Sequence, residues 1–385
     1  MVSSGSSLNS PVSNKILAGL LGGVLGVFGL VYLLTPGNNY PSDVRDLLRD
    51  GARAYMTTPD KRDLDKAIEC YSLALEKLDD LGKTDPIHNP SAPHITGLIG
   101  RLAEVYSVHG DREKAISTYK DVIKRILDDE SFSNPKKVGQ TLGRSDTSAQ
   151  TRRDLQLALS SSYKLALMYN QSADRGQWRA MMLPALKNNV DEDNREAEKW
   201  FTWCLDVTMH SYQTHCQETL KNKSPPTFAP DTLPSWMPSE FIVTIMYEAA
   251  CFYTKIQKFD LAAPLLLRSI DLLGGPNAKG ETSICRSAVI MTHLANMSAA
   301  QGKWDATQRW IEHGLEKSRQ FSKNMECAQS FVALKYDQGK LYEKKNKIDQ
   351  ASVSYRQAYK ASQMIQYEEG EQMALNALRA LNRTG

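Results

Sequence analysis

From residue 43 onward one spacing recurs: a small residue three positions ahead of an aromatic, a turn, then Ala-x3-aromatic/Leu-x2-small. The clearest copy runs Ile99-x2-Leu102-Ala103-x2-Tyr106, turns at Gly110-Asp111 and continues Ala115-x3-Tyr119-x2-Val122. Residues three and four apart share a helix face, so the pattern describes two helices in a hairpin. The small residue lets the helices cross closely, and the aromatic one turn away fills the gap against the next hairpin.

Second helices with this spacing begin at Ala67 (with Tyr71 and Ala74), Ala197 (Phe201, Cys204), Ala262 (Leu266, Ser269), Ala306 (Trp310, His313) and Ala351 (Tyr355, Ala358). First helices carry Ala166-x2-Tyr169, Ala250-x2-Tyr253 and Gly339-x2-Tyr342. All these residues are read as core packing rather than ligand contacts. The array resembles tetratricopeptide repeats over about residues 43–381, which implies an all-α solenoid of about six degenerate hairpins. Copies wider apart than the ~34-residue period of that repeat require inserts. These fall at Lys83–Ala92, Ser131–Gln150, Pro184–Glu196, Lys221–Ser239 and Gly274–Glu281, where Pro, Gly, Ser, Asn and charge predict loops. The proline-rich stretch 224–240 is expected to lie on the array. A last amphipathic helix, Tyr367–Leu381, carries Glu368, Glu369 and Glu371 in its first turn and suits a solvating cap.

Ahead of the repeats stand a tail (1–15), an uncharged apolar stretch (16–34) and a linker (35–42). At ~1.5 Å per residue the stretch Ile16–Leu34 reaches about 28 Å, close to the ~30 Å hydrocarbon core of a bilayer. It is predicted to be a retained transmembrane helix. A cleaved leader has a shorter apolar core and a small-x-small site, which Tyr32-Leu33-Leu34-Thr35-Pro36 does not supply. Within the stretch, Gly19 and Gly23, and Gly22 and Gly26, stand four apart. That face either admits a second membrane helix at close range or reflects the abundance of glycine in membrane helices.

The 385 residues carry a net charge of +3 from 47 basic and 44 acidic side chains, so no basic field points to nucleic acid. No phosphate-binding GxxxxGK[ST], dinucleotide GxGxxG, HExxH or GxSxG occurs. The chain is read as a non-enzyme without cofactor or metal. Cys204, His210, His215 and Cys216 lie near one another, but no two stand three or four apart, so a helix would spread them over different faces. Trp200, Phe201 and Trp203 are read as buried between long helices. All six cysteines, Cys70, Cys204, Cys216, Cys251, Cys285 and Cys327, form no C-x-x-C pair and are read as buried free thiols.

Many tetratricopeptide domains dock acidic chaperone tails through a Lys/Asn/Arg clamp. Here Ala52, Glu104 and Cys251 follow the small-residue position where the clamp needs Asn, which removes most support for that use. The basic run Lys340, Lys344, Lys345 and Lys347 is read as a solvated helix end.

An anchor, a short spacer and repeats beginning RDLLRDGARAY, DLDKAIECYSLALEKLD and ITGLIGRLAEVYSVHGDREKAISTYKDVI resemble the fungal adaptor subunit of the mitochondrial inner-membrane i-AAA protease. The resemblance implies a domain in the intermembrane space that recognises misfolded or unassembled membrane proteins. It would pass them to a membrane-embedded AAA protease, with a second small membrane adaptor alongside. Two departures stand against it. Met1–Asn14 is Ser-rich and lacks the arginines of a presequence. In addition, Arg45, Arg49 and Arg53 follow the apolar stretch while Lys15 precedes it, a bias that favours the alternative: an outer-membrane import receptor with cytosolic repeats.

Overall fold

The computed structural model describes residues 40–58, 61–83, 92–182, 187–220, 233–234 and 236–384. Among them every regular element is helical, and none is long and apolar enough to cross a membrane. The predicted membrane helix 16–34, with Gly19, Gly22, Gly23 and Gly26, lies outside the described residues, as does most of 224–240. The chain divides between Pro225 and Pro226 into two compact units.

The first unit contains hairpins α1 (Ser42–Met56)/α2 (Leu64–Gly82) and α3 (Pro93–His109)/α4 (Arg112–Ile126). Two short helices follow, α5 (Asp129–Ser133) and α6 (Pro135–Gly143), then the long pair α7 (Ala149–Met182) and α8 (Lys187–Leu220). Asp63 caps α2 by accepting from the Lys66 amide at 3.0 Å. Val44, Leu48, Tyr71, Leu78, Leu98 and Val105 form the centre of a core shared by α1, α2 and α3.

The second unit runs α9 (Ser239–Lys255), α10 (Phe259–Leu272), α11 (Glu281–Ala300), α12 (Trp304–Arg319), α13 (Met325–Lys344), α14 (Ile348–Met364) and α15 (Glu368–Thr384). First helices pack on first helices: α11 touches α9 and α13, and α13 touches α15, which makes one layer. The second helices α10, α12 and α14 each pack on the first helices before and after them.

One turn closes these hairpins repeatedly. A left-handed residue ends the preceding helix, and the next amide donates to the carbonyl five residues back. The pairs are Asp111→Tyr106, Lys258→Tyr253, Lys303→Ser298, Lys347→Tyr342 and Tyr367→Ser362, at 2.8–3.0 Å. Gly110 and Gly302 take the left-handed position without strain, but Gln257 (φ 61°), Asn346 (φ 56°) and Gln366 (φ 54°) carry a Cβ there. Gln257→Gly or Gln366→Gly should therefore stabilise the second unit by about 1 kcal/mol, read as a raised thermal midpoint; an unchanged midpoint would contradict the strain argument.

Ala67, Tyr71, Ala103, Ala115, Tyr119, Ala197, Phe201, Ala250, Tyr253, Ala262, Ala351 and Tyr355 are buried. Tyr106 and Tyr342 are half-buried. Gly339 faces Tyr355, whose ring carbon Cε1 lies 2.5 Å from where a Cβ would stand. In α12 the buried positions include Thr307, Ile311 and Gly314, one residue beyond Ala306, Trp310 and His313, of which Ala306 and Trp310 are half-buried. The turn bond from Lys303 sets this register, since it places Thr307 where the turn bond from Lys347 places Ala351.

Three sequence expectations are corrected. Ser131–Gln150 is not a loop, because α5 and α6 occupy most of it: Asn134 caps α6 by accepting from the Lys137 amide at 3.1 Å, with Pro135 in the first turn. The predicted loop Pro184–Glu196 is helical from Lys187 onward. Cys285 and Cys327 are not free thiols but a disulfide. Cys70, Cys204 and Cys216 are buried free thiols, and Cys251 is half-buried.

Candidate polypeptide-binding face

The first-helix layer of the second unit brings polar side chains together from three helices. Tyr247 and Cys251, one turn apart on α9, meet His293 of α11: Tyr247 Oη lies 2.6 Å from Nε2, and Cys251 Sγ lies 3.8 Å from Nδ1. One turn further along α11, Asn296 faces Asp337 of α13. With its amide nitrogen toward the carboxylate, it donates to the two oxygens at 3.2 and 3.0 Å. Next on α13, Lys335 donates to Gln338 at 2.9 Å, Lys340 lies over the Tyr336 ring at 4.6 Å, and Lys344 lies over Trp304 at 5.6 Å. Cys251, His293, Asn296, Tyr336, Gln338 and Lys340 are all half-buried. The result is a seam of hydrogen-bonding groups flanked by aromatic rings.

Burial sets the charge of this seam. It pushes the Glu248 carboxyl up to about 7. It also pushes Asp337 up to about 7, against Lys340 and Asn296, which favour the ionised form. The same loss of solvent lowers His293 to about 4 and lifts the Cys251 thiol well above its ordinary value. Cys251 and His293 thus have nucleophile and base side by side, yet burial opposes both the thiolate and the imidazolium, the opposite of an activated cysteine. The seam's neutral thiol is not set up to attack, and its Tyr247, Lys335 and Asp337 are buried.

The cluster weighed from sequence is not brought together. Cys204 is fully buried, with Sγ 3.7 Å from the Leu159 carbonyl oxygen, while the His210 ring lies 2.8 Å from the Asp206 carbonyl oxygen one turn earlier on its own helix. Among the described residues no group of His, Cys, Asp and Glu is arranged to hold a metal. Trp200 and Trp203 are buried, and Phe132 of α5 occupies the space beside them, its centroid 5.4 and 6.0 Å from theirs. Trp203 donates to the Phe132 carbonyl at 3.1 Å, so these rings are packed against the chain itself. Glu104 is bound inward by Arg101 at 2.5 Å and accepts from Tyr55 at 3.3 Å. A cleft of about 290 Å³ between α2, α3 and α4, lined by Leu75, Ile95, Ile99, Asp79, Asp121 and Arg125, is of a size for one side chain or a small ligand.

The seam was not legible as a unit beforehand. Tyr247 and His293 are 46 residues apart, and Asn296 and Asp337 belong to different repeats. The one usable signal was polar residues in a helix layer that also carries the repeat's small residues.

Stacked helix hairpins with small residues at their crossings are the architecture of tetratricopeptide-type repeats, which generally bind polypeptides. The sequence profile of the tetratricopeptide repeat matches residues 332–363, which span most of α13 and α14. No curated protein matches the chain. Among solved structures the chain is similar to BtubC (BKLC) from P. vanneervenii, at 15% identity and a TM-score of 0.46, covering 79% of this chain and 92% of that one. It is also similar to a tetratricopeptide repeat protein from Parabacteroides merdae ATCC 43184, at 13% identity and a TM-score of 0.31, covering 87% of this chain and 100% of that one. Both are too distant to carry a functional argument.

Proposed function

We propose that this chain is a membrane-tethered scaffold that holds polypeptide segments on its helical hairpins and hands them to a membrane partner. The observation that carries the binding reading is the tetratricopeptide match at 332–363, set in a helix layer with hydrogen-bonding groups and no activated nucleophile. The resemblance at the start of the repeats extends this to an adaptor role. In that reading, misfolded or unassembled membrane proteins are delivered to the i-AAA protease from the intermembrane-space face of the mitochondrial inner membrane, with a second small membrane adaptor in the complex. The Cys285–Cys327 bond supports a domain outside the reducing cytosol. The arginines after residue 40 favour the import-receptor alternative.

Binding is tested with the full chain in detergent and a labelled, denatured protein. The expected constant is on the order of micromolar, about 8 kcal/mol, with no ATP or peptide hydrolysis. A scaffold must release its cargo, and ordering a flexible chain costs part of the contact energy. Intrinsic turnover would end the scaffold reading, and failure to hold any unfolded chain would end the polypeptide-capture reading. Protease protection before and after rupture of the mitochondrial outer membrane separates the two membranes. Gly22→Leu with Gly26→Leu should reduce co-purification of the membrane partner, and unchanged recovery would discard the glycine face as a contact.

A further inference from the structure

Cys285 lies in the second turn of α11 and Cys327 is the third residue of α13, 42 residues on, so the bond spans the α11–α12 hairpin and ties it to the next hairpin within the first-helix layer. The same joint is held by Asn324, which donates to Glu281 at 2.9 Å while capping α13. Arg286 and Glu326 flank the bond, and the nearby guanidinium partly offsets the cost of burying the Glu326 carboxylate. Both cysteines are fully buried, with no surface exposed to a reagent in the folded unit.

We propose that Cys285 and Cys327 are an oxidation site used during folding, and that this chain is a substrate for a disulfide-bearing donor in an oxidising compartment. One cysteine thiolate attacks the donor disulfide and expels a donor thiolate, leaving a mixed disulfide. The second cysteine then attacks the mixed disulfide at the sulfur of the first and expels the remaining donor sulfur. Two electrons and two protons leave with the donor as a dithiol, or as two thiols. The donor must meet the pair before α11 closes on α13, because afterwards neither sulfur can be reached. The bond is therefore a one-way structural staple, protected from later exchange by the packing it reinforces. Persistent cross-links of this kind are rare where thioredoxin and glutathione keep thiols reduced. The inference is independent of what the hairpins bind.

The test uses the full-length chain from its native cells, quenched in acid and denatured with a maleimide to block every free thiol. Reduction and labelling with a heavier maleimide follow. Cys70, Cys204, Cys216 and Cys251 should be blocked at once, and Cys285 and Cys327 should label only after reduction, with their two peptides linked beforehand. Six free thiols, or a link between any other pair, would overturn the proposal. In the native protein, a membrane-permeant dithiol should cut the bond at least ~10-fold more slowly than in denaturant; equal rates would overturn the burial argument. Reductant should lower the unfolding midpoint of the wild type and leave that of Cys285→Ala/Cys327→Ala unmoved.

Discussion

Gly139→Val should detach α6 from α8 and destabilise the first unit by roughly 3 kcal/mol. A Cβ at Gly139 would stand 2.5 Å from the Val207 carbonyl oxygen, 2.8 Å from His210 Cβ and 3.1 Å from the Ser211 amide nitrogen. A turn later, a Cβ at Gly143 would overlap the Ser211 carbonyl oxygen. These obstacles are mainly backbone inside a continuous helix, and they cannot retreat without breaking the hydrogen bonds of α8. The short helix must lift instead, exposing Val138 and Leu142, which are buried. The control is Gln140→Val, which puts the same β-branched residue on the exposed face of the same helix and should cost a few tenths of a kcal/mol. Denaturant unfolding of the two variants decides the matter. Equal losses would mean that propensity rather than close approach governs the site.

Glu248→Gln should stabilise the second unit by roughly 3 kcal/mol at pH 8 and by little below pH 4.5. Burial pushes the folded carboxyl up to about 7, from the 4.5 of an ordinary glutamate. Below 4.5 both states hold the proton. Between 4.5 and 7 the folded state keeps a proton that the unfolded chain releases, so stability falls by about 1.4 kcal/mol per pH unit. Above 7 the carboxylate is ionised in both states, and the whole desolvation cost is present. Asp337, also raised to about 7, has the same sign. His293 has the opposite sign: with its folded value lowered to about 4, it withdraws stability as pH falls from 6.5 toward 4. The wild type carries all three slopes, whereas the difference between wild type and Glu248→Gln isolates one. Stability measured at pH 4.5, 6 and 8 should show that difference growing across the window. A difference independent of pH would mean that the carboxyl is solvated in the folded state.

The sequence by itself determined the helical class and the repeating hairpin motif, because a small residue and an aromatic at fixed spacing let two helices cross closely. It also determined the hairpin turn at Gly110, since glycine alone adopts the left-handed conformation without cost. It could not determine α6: Gly139 and Gly143 look like loop residues until α8 is alongside, and only that contact turns missing side chains into a docking surface. The register of α12 was decided the same way, by the turn at Lys303 rather than by Ala306. The Cys285–Cys327 bond and the His293 seam join residues more than 40 positions apart. Local spacing carries no information about which faces of different hairpins come to oppose each other, because layer packing in the folded unit sets that.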